Sequence, residues 1–201
     1  MKKLIVTSIQ LFLGLLLVSS SANAADWRFP LGLTYAGNFS EVLDLHEDNL
    51  KAKGYSVDTS WQWPVGLSFQ PYVEFENALG VGAGLGPMMF IVTSGASDGD
   101  FFNVPVNLNL RYSFLPKKEI SPYVRGGVSY NIASGDYVES SNVGFLGALG
   151  VEFSRKRAVG WGLEVGYDSS KIEFKAFRSR TSYFKKDIKP IEWWASVFVV
   201  F

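Results

Sequence analysis

Seven ionisable side chains occupy positions where strand-like segments otherwise carry small or polar residues. They are Arg28, Glu74, Arg111, Arg125, Glu152, Glu164 and Glu192. Enclosed charges need partners, because an unpaired buried charge is very costly. The arginines and glutamates of this set therefore predict a network of ion pairs inside the molecule.

The single histidine, His46, suggests no catalysis of its own. It lies in residues 40–51, which predict a short helix with Ser40 as the cap, acids in the first turn and a favourable Glu47–Lys51 pair. Neither a Ser-His-Asp arrangement nor a metal-ligand spacing surrounds the histidine, so we expect an exposed loop residue. The chain has no cysteine, which removes thiolate sites and disulfides. We predict a protein that is not an enzyme and has no cofactor and no metal.

A second charged set lies near the carboxyl terminus. It comprises Lys171, Lys175, Arg178, Arg180, Lys185, Lys186 and Lys189. Cationic side chains of this kind bind phosphates, so they could contact lipid phosphates at a membrane surface. A merely solvated loop explains the same residues equally well, and the sequence leaves both readings open.

The elements that must position these groups are eight segments in which bulky apolar residues alternate with small or polar ones. They cover residues 27–39, 61–75, 79–92, 102–114, 122–132, 143–153, 159–167 and 193–201. A period of two predicts strands with two unlike faces. Each segment has about ten residues or more, which is the length that a tilted strand needs to cross a bilayer.

The third segment has the most unusual pattern. We assign one bulky face to it, made of Leu79, Val81, Ala83, Leu85, Met89 and Ile91. The opposite face is a row of Gly80, Gly82, Gly84 and Gly86. Glycines in a strand indicate a bend or the close approach of a bulky group, here side chains from elsewhere in the interior or an apolar ligand.

Connection lengths alternate along the chain. Residues 40–60, 93–101, 133–142 and 168–189 form long connections, whereas 76–78, 115–121 and 154–158 form shorter turns. Long loops outside and short turns inside are typical of outer-membrane barrels. In the last long connection, Ile172 and Phe174 have the opposite parity to Tyr167, which predicts a bulge near 168–170. The last strand must close on the first, so the basic loop should neighbour the acidic helix.

The amino terminus predicts export. Lys2 and Lys3 precede an apolar run over 4–18, and a small-residue Ala22-Asn23-Ala24 site follows. This arrangement is typical of a secretory signal peptide. The run is shorter than the about 20 apolar residues that a membrane-spanning helix needs. We therefore predict a signal peptide over 1–24 and one domain over 25–201.

The carboxyl terminus is an apolar strand with an aromatic last residue. Trp193, Val197, Val199 and Phe201 share one face. A terminal strand with such a face invites edge pairing unless it closes a barrel in lipid. A soluble sandwich or lipocalin is the rival fold, but it would show water a lysine-rich surface, whereas the lysines here fall in loops and turns. The formal net charge of +0 gives no support for nucleic-acid binding.

These segments resemble the small eight-stranded outer-membrane barrels of the OmpA, OmpX and OmpW type. The resemblance is carried by residues 104–112 (VPVNLNLRY), residues 122–128 (PYVRGGV) and the terminal Phe201. It implies an all-β, antiparallel, transmembrane up-and-down barrel in the outer membrane of a Gram-negative-type bacterium. It also implies insertion by the barrel assembly machinery, which reads the terminal residues, and contact with lipopolysaccharide. We expect a monomer without the periplasmic domain that OmpA carries.

Three classes of function fit such a barrel. We favour a non-enzymatic barrel with a plugged polar interior that serves envelope integrity or surface interaction through its loops, since eight strands leave room for little more than side chains. The charged network could instead form a gate on an ion path. The second class is a porin-like conduit or carrier for small hydrophobic molecules, which the OmpW resemblance would allow. Prolines such as Pro30 and Pro71 remove hydrogen bonds between strands and would weaken the wall, so that such molecules could pass sideways. The third, a lipid-modifying enzyme, lacks a suitable histidine.

Overall fold

The computed structural model describes residues 25–55, 58–62, 64–94 and 99–201, with the backbone alone for 58–62, 93 and 94. The predicted signal peptide over 1–24 lies outside the described residues. The elements, in chain order, are β1 (Asp26–Arg28), β2 (Pro30–Ala36), α1 (Phe39–Lys53), β3 (Asp58–Gln62), β4 (Val65–Phe69), β5 (Tyr72–Glu74), β6 (Leu79–Leu85), β7 (Met89–Ser94), β8 (Phe101–Ser113), β9 (Ser121–Gly135), β10 (Val138–Asn142), β11 (Gly144–Phe153), β12 (Gly160–Asp168), β13 (Lys171–Ser179), β14 (Ser182–Ile188) and β15 (Trp193–Val200).

Antiparallel pairing closes these strands into an eight-stranded barrel. From β6 the ring runs through β8, β9, β11, β12 and β15 to β2, and β2 pairs with β4. The second strand of the ring is split into β4 and β5, and both pieces pair with β6. Because the last strand pairs with the first, no edge of the ring remains open. The predicted fold class is confirmed.

The two faces of the wall are unlike, as the alternation predicts. On the outer face Phe145 is 73% exposed and Leu110 is 59% exposed, whereas on the inner face Arg111 is 4% exposed and Glu152 is 1% exposed. Bulky apolar side chains therefore point away from the barrel and polar side chains point into it. This is the reverse of a soluble barrel, which excludes the rival fold.

The third strand departs from its predicted face. Leu79 and Leu85 point outward as expected, but Met89 and Ile91 are buried, at 0% and 1% exposure. The strand breaks between β6 and β7, where Gly86 has a positive φ of 93° and the Gly86–Pro87 peptide bond is cis. The break shifts the alternation by one residue, so assigning Met89 and Ile91 to the outer face was wrong.

Prolines mark the other irregularities of the wall. Pro71 separates β4 from β5 and Pro30 is the first residue of β2. Pro105 lies inside β8 and faces the interior. A proline has no N–H to donate to a strand ladder, so such positions fall where pairing is interrupted. Between β4 and β6 the ladder consists of one pair, Phe69 with Leu85.

The two ends of the barrel differ. One end carries the short connections after β5, β8 and β11, and is called the turn end. The other, the loop end, carries α1 and a second sheet in the order β10-β13-β14. These four elements are called the cap. Among the described residues, no helix is long and apolar enough to cross a membrane.

The cap has an apolar core that is continuous with the loop end of the barrel. The helix contributes Phe39, Val42, Leu43 and Leu45, and the cap sheet contributes Ile172, Phe174, Ala176 and Ile188. The barrel contributes Ala36, Met89, Ile91, Phe101, Leu146, Ala148 and Trp194. This core explains why Met89 and Ile91 turn inward, since they pack beneath the helix rather than against lipid.

Candidate functional site: the barrel interior

Arg111, on β8, lies at the centre of the interior. Its guanidinium forms an ion pair of 2.9 Å with Glu152 on β11. The same guanidinium lies 4.4 Å from the ring centroid of Tyr72 and 3.4 Å from that of Tyr123. Arg111 is thus held by one carboxylate and two aromatic faces, an arrangement that fixes a flat cation in one orientation.

Arg155 completes this layer from the turn end. It is 3% exposed, pairs with Glu152 at 3.0 Å and forms a second ion pair with Glu74 on β5. Arg155 was not among the predicted interior charges, because it lies in the connection between β11 and β12, outside any alternating segment. The positive φ of 55° at Ser154 reverses the chain just before it. The sequence did offer one signal for Arg155, because its turn joins two strands that each carry an inward glutamate.

Arg125, on β9, forms the second layer. Two of its nitrogens contact Glu164 on β12 at 2.6 and 3.1 Å. The Tyr123 hydroxyl donates to the same carboxylate at 2.9 Å, and the Trp194 indole donates to it at 3.1 Å. The Glu164 carboxylate therefore accepts from three side chains, which satisfies a buried charge in the way that the interior requires.

Two members of the predicted set lie outside these layers. Arg28 bonds Asp26 at 2.6 Å near the turn end and donates to the Arg155 carbonyl at 3.1 Å. Glu192 lies at the loop end, where it pairs with Lys189 at 2.8 Å. The structure therefore brings Glu74, Arg111, Arg125, Glu152 and Glu164 into the interior, together with Arg155, and leaves Glu192 at the rim.

Little space remains between these side chains. One cavity of about 30 Å³ is bordered by Tyr72, Arg111, Tyr123 and Glu164, and another of about 20 Å³ by Arg125 and Asp168. A void of this size holds about one water molecule. Around these layers, side chains fill most of the described interior.

The glycine row of the third strand admits neighbouring side chains. A Cβ at Gly82 would lie 2.9 Å from the Tyr72 Cβ, and one at Gly84 would lie 2.6 Å from the Gln70 Oε1. Both distances are shorter than side chains tolerate. Glycine at these positions therefore lets Tyr72 and Gln70, from the adjacent strand, enter the interior.

His46 lies in the cap and not on its surface. It is 1% exposed, and its ring centroid lies 5.4 Å from that of Phe101 and 5.2 Å from that of Tyr137. The expectation of an exposed loop histidine was wrong, because the buried face of α1 includes this position. The helix was predicted over 40–51 and spans Phe39–Lys53, and Asn38 rather than Ser40 occupies the cap position.

The basic residues near the carboxyl terminus form the surface of the cap sheet, and most lie beside carboxylates. Lys175 pairs with Glu139 at 3.2 Å, Lys185 with Glu173 at 2.7 Å and Lys186 with Glu41 on α1 at 3.2 Å. The last pair places the basic sheet next to the acidic helix, as predicted.

The remaining members of this set are held in other ways. Lys171 lies 3.4 Å from Asp187, the Arg178 guanidinium lies 4.8 Å from the Phe184 ring centroid, and Arg180 donates to the Lys53 carbonyl. The carboxylate Glu192 and the Tyr167 hydroxyl raise the pKa of the Lys189 ammonium above its ordinary value. These cations are thus partly neutralised within the cap.

The terminal strand carries the predicted assembly residues on its outer face. Trp193, Val197, Val199 and Phe201 are all exposed. The Phe29 N–H donates to the Phe201 carbonyl at 3.1 Å, so pairing with the first strand extends to the last residue. Among the described residues, no group of three or more metal-ligating side chains comes together.

Comparison with known proteins agrees with this architecture. The model of the outer membrane protein beta-barrel domain family matches residues 10–189, and the chain belongs to that family. A comparison with curated proteins finds no matching sequence. The described fold is that of an outer-membrane barrel. In barrels of this kind the long loops face the outside and the short turns face the periplasm.

Solved structures with the same fold share little sequence with this chain. The outer membrane protein OprG from Pseudomonas aeruginosa is 16% identical over 89% of this chain and 96% of its own, with a TM-score of 0.58. AlkL is 14% identical over 90% of both chains, with a TM-score of 0.52. The Escherichia coli outer membrane protein W is 15% identical over 89% of this chain and 97% of its own, with a TM-score of 0.50. At these identities the likeness concerns the fold.

Proposed function

We propose that the protein is a non-enzymatic outer-membrane barrel with an interior closed to ions, which serves envelope integrity or surface interaction through its cap. The observation that carries this proposal is the pair of side-chain layers across the interior. Arg111 pairs with Glu152 at 2.9 Å and Arg125 with Glu164 at 2.6 Å. Cavities of about 30 and 20 Å³ lie between and around them.

The cap supports the part of the proposal that concerns interaction. It is an ordered sheet and helix outside the barrel wall, and it presents the exposed aromatic side chains of Tyr183 and Phe184. Aromatic residues of this kind are enriched where proteins bind one another. The histidine supports the absence of enzymatic activity, since His46 is enclosed by rings and does not face solvent.

Ion flux through proteoliposomes tests the closed interior. Vesicles with the reconstituted protein should hold a potassium gradient as long as empty vesicles do. The double variant Arg111→Ala with Arg125→Ala removes both central cations and should dissipate the gradient faster. The matched control is Leu110→Ala with Val124→Ala, which truncates outward neighbours on the same two strands. Rapid dissipation by the wild-type protein would contradict the proposal.

A second candidate function rests on an apolar groove on the outer face of the wall. The groove measures about 510 Å³ and lies beside the single-pair ladder at Phe69 and Leu85, with Ala83 and Leu108 in its floor. We propose that small hydrophobic molecules could pass between the interior and the membrane here. Filling the groove with Ala83→Trp should then slow the uptake of an apolar dye, whereas Val165→Trp on another part of the wall should not. Equal uptake by both variants would remove this candidate.

A further inference from the structure

One side chain of α1, that of Asn49, makes two hydrogen bonds to the backbone of the cap sheet and is called the clamp. The Asn49 amide donates to the Lys175 carbonyl at 2.7 Å and accepts from the Phe177 N–H at 2.7 Å. These are backbone groups of β13 beyond the point where β10 pairs with it, because that pairing begins at Val138 with Phe174. Asn49 therefore takes the place of a neighbouring strand and holds the helix to the sheet.

His46 lies one helical turn before this clamp, in an apolar enclosure. Its ring centroid is 5.2 to 5.9 Å from those of Phe101, Tyr137 and Phe174. Its Nδ1 lies 2.7 Å from the Val42 carbonyl oxygen. A carbonyl only accepts hydrogen bonds, so Nδ1 carries the proton and Nε2 has the lone pair.

The second ring nitrogen is where a proton would have to go. Among the described residues, Nε2 of His46 is buried and has no hydrogen-bond partner. Protonation there would bury a cation, and the described residues offer no acceptor for its new N–H. A buried charge without a partner is strongly unfavourable, and opening the enclosure to water relieves it.

We propose that α1 is an acid-released lid over the loop end of the barrel, and that His46 is the group whose protonation releases it. The helix covers the apolar side chains that line the loop end, so its release would expose that core to the outside. The inference goes beyond the proposed function, since the side-chain layers below the lid keep the interior closed in either state.

Charged groups on the elements around His46 modulate this release. Neighbouring elements carry Asp100, Asp136, Glu173 and Lys175, and the helix itself carries Glu41, Asp44, Glu47, Asp48, Lys51 and Lys53. Asp136 favours the imidazolium, whereas burial opposes it more strongly and lowers the pKa of His46 below its ordinary value of 6.5. The Lys53 ammonium lies 4.9 Å from the Tyr137 ring centroid.

The direction of the pH effect follows from proton linkage. The open lid binds a proton near the ordinary histidine pKa, and the closed lid binds it only at lower pH. The closed state is therefore fully favoured above about pH 6.5 and loses stability as the pH falls below it. Over that window the ratio of closed to open lid should fall by up to about tenfold for each pH unit.

The single histidine makes the test clean, because an untagged protein gives one imidazole signal. Nuclear magnetic resonance of the folded barrel in lipid should show His46 as the neutral form with the proton on Nδ1. Its titration midpoint should lie below 6.5. A midpoint at or above that of a histidine-containing peptide would overturn the inference, whatever the variants do.

Amide hydrogen exchange, corrected for the intrinsic pH dependence, measures the lid itself. Protection of residues 39–53 should fall between pH 7.5 and 5.5 in the wild-type protein, while protection of β8 should stay constant. His46→Gln cannot take up this proton, so its helix should show no such change. The same loss of protection in the variant, or none in the wild-type protein, would overturn the inference. Carboxyl groups ordinarily titrate at about pH 4, outside this range.

Discussion

The Arg111 guanidinium lies 3.4 Å from the ring centroid of Tyr123, while the Tyr123 hydroxyl donates to Glu164 at 2.9 Å. One aromatic side chain therefore joins the two charged layers of the interior. Arg111 belongs to the layer of Glu152, and Glu164 belongs to the layer of Arg125. The layers consequently form one network, and a substitution in one layer should alter the contacts of the other.

Arg111 should be sensitive to shape as well as to charge. Arg111→Ala leaves its carboxylate partner short of a cation and should lower the free energy of unfolding by about 3–5 kcal/mol. Arg111→Lys keeps the charge and loses the flat stack, so the loss should be about 2 kcal/mol or less. Urea unfolding of the barrel in lipid vesicles measures both. Equal losses would show that the aromatic stack contributes nothing.

Arg155 should matter although it lies in a turn. It is the ion-pair partner of Glu74, which is 5% exposed. Arg155→Ala leaves that carboxylate without this cation and should lower the free energy of unfolding by about 3–5 kcal/mol in the same measurement. The control is Arg157→Ala, two residues along the same turn and exposed, which should change stability by less than about 0.5 kcal/mol. Similar behaviour of the two variants would place Arg155 outside the network.

The Asn49 clamp should decide how firmly the cap is closed. Asn49→Ala leaves the Lys175 carbonyl and the Phe177 N–H without this partner and should weaken the cap by about 1–3 kcal/mol. Limited proteolysis should then cut the helix sooner, with the barrel intact. Glu47→Ala removes only an exposed pair with Lys51 at 3.4 Å and should leave the cutting rate nearly unchanged.

Lipopolysaccharide is the lipid partner that we propose for the basic surface of the cap. Changing Lys185, Lys186 and Lys189 to Gln should weaken retention of lipopolysaccharide on the purified barrel, because cations bind its phosphates. The control changes Lys117 and Lys118, at the opposite end, in the same way. Identical retention in both variants and the wild-type protein would leave the lysines as ordinary ion-pair partners.

The outward face of the last strand should matter for assembly more than for final stability. Phe201→Ser should reduce the fraction of protein that reaches the outer membrane in folded form, because we infer that the assembly machinery reads Trp193, Val197, Val199 and Phe201. Leu149→Ser, on the outer face of β11, is the matched control. Heat-modifiable mobility of membrane fractions reports the folded fraction, and equal losses would argue for a lipid-contact effect alone.

The alternation of residue types was enough to predict the barrel and the direction of most side chains. Period two has a simple physical cause, since neighbouring residues of a strand point to opposite faces. It failed where the strand breaks, at Gly86 and Pro87, because a shift of one residue reverses every side chain beyond it. Met89 and Ile91 lie beyond that break.

The cap was harder to predict because its burial depends on contacts distant in sequence. The acids of the first turn and the Glu47–Lys51 pair indicated α1, but which face of it is covered depends on β13 and on the residues around Phe101 and Tyr137. His46 was misplaced for that reason. Arg155 was missed for a related reason. Whether a turn side chain points into the interior depends on how the chain reverses at that turn.

The central claim is that side chains close the barrel to ions. Current through single barrels in a planar lipid bilayer tests it most directly, with the wild-type protein and Arg111→Ala compared in the same membrane. The wild-type protein should insert without a sustained open current, and the variant should show openings because the layer around Arg111 is incomplete. Stable open channels of the wild-type protein, unchanged in the variant, would contradict the claim.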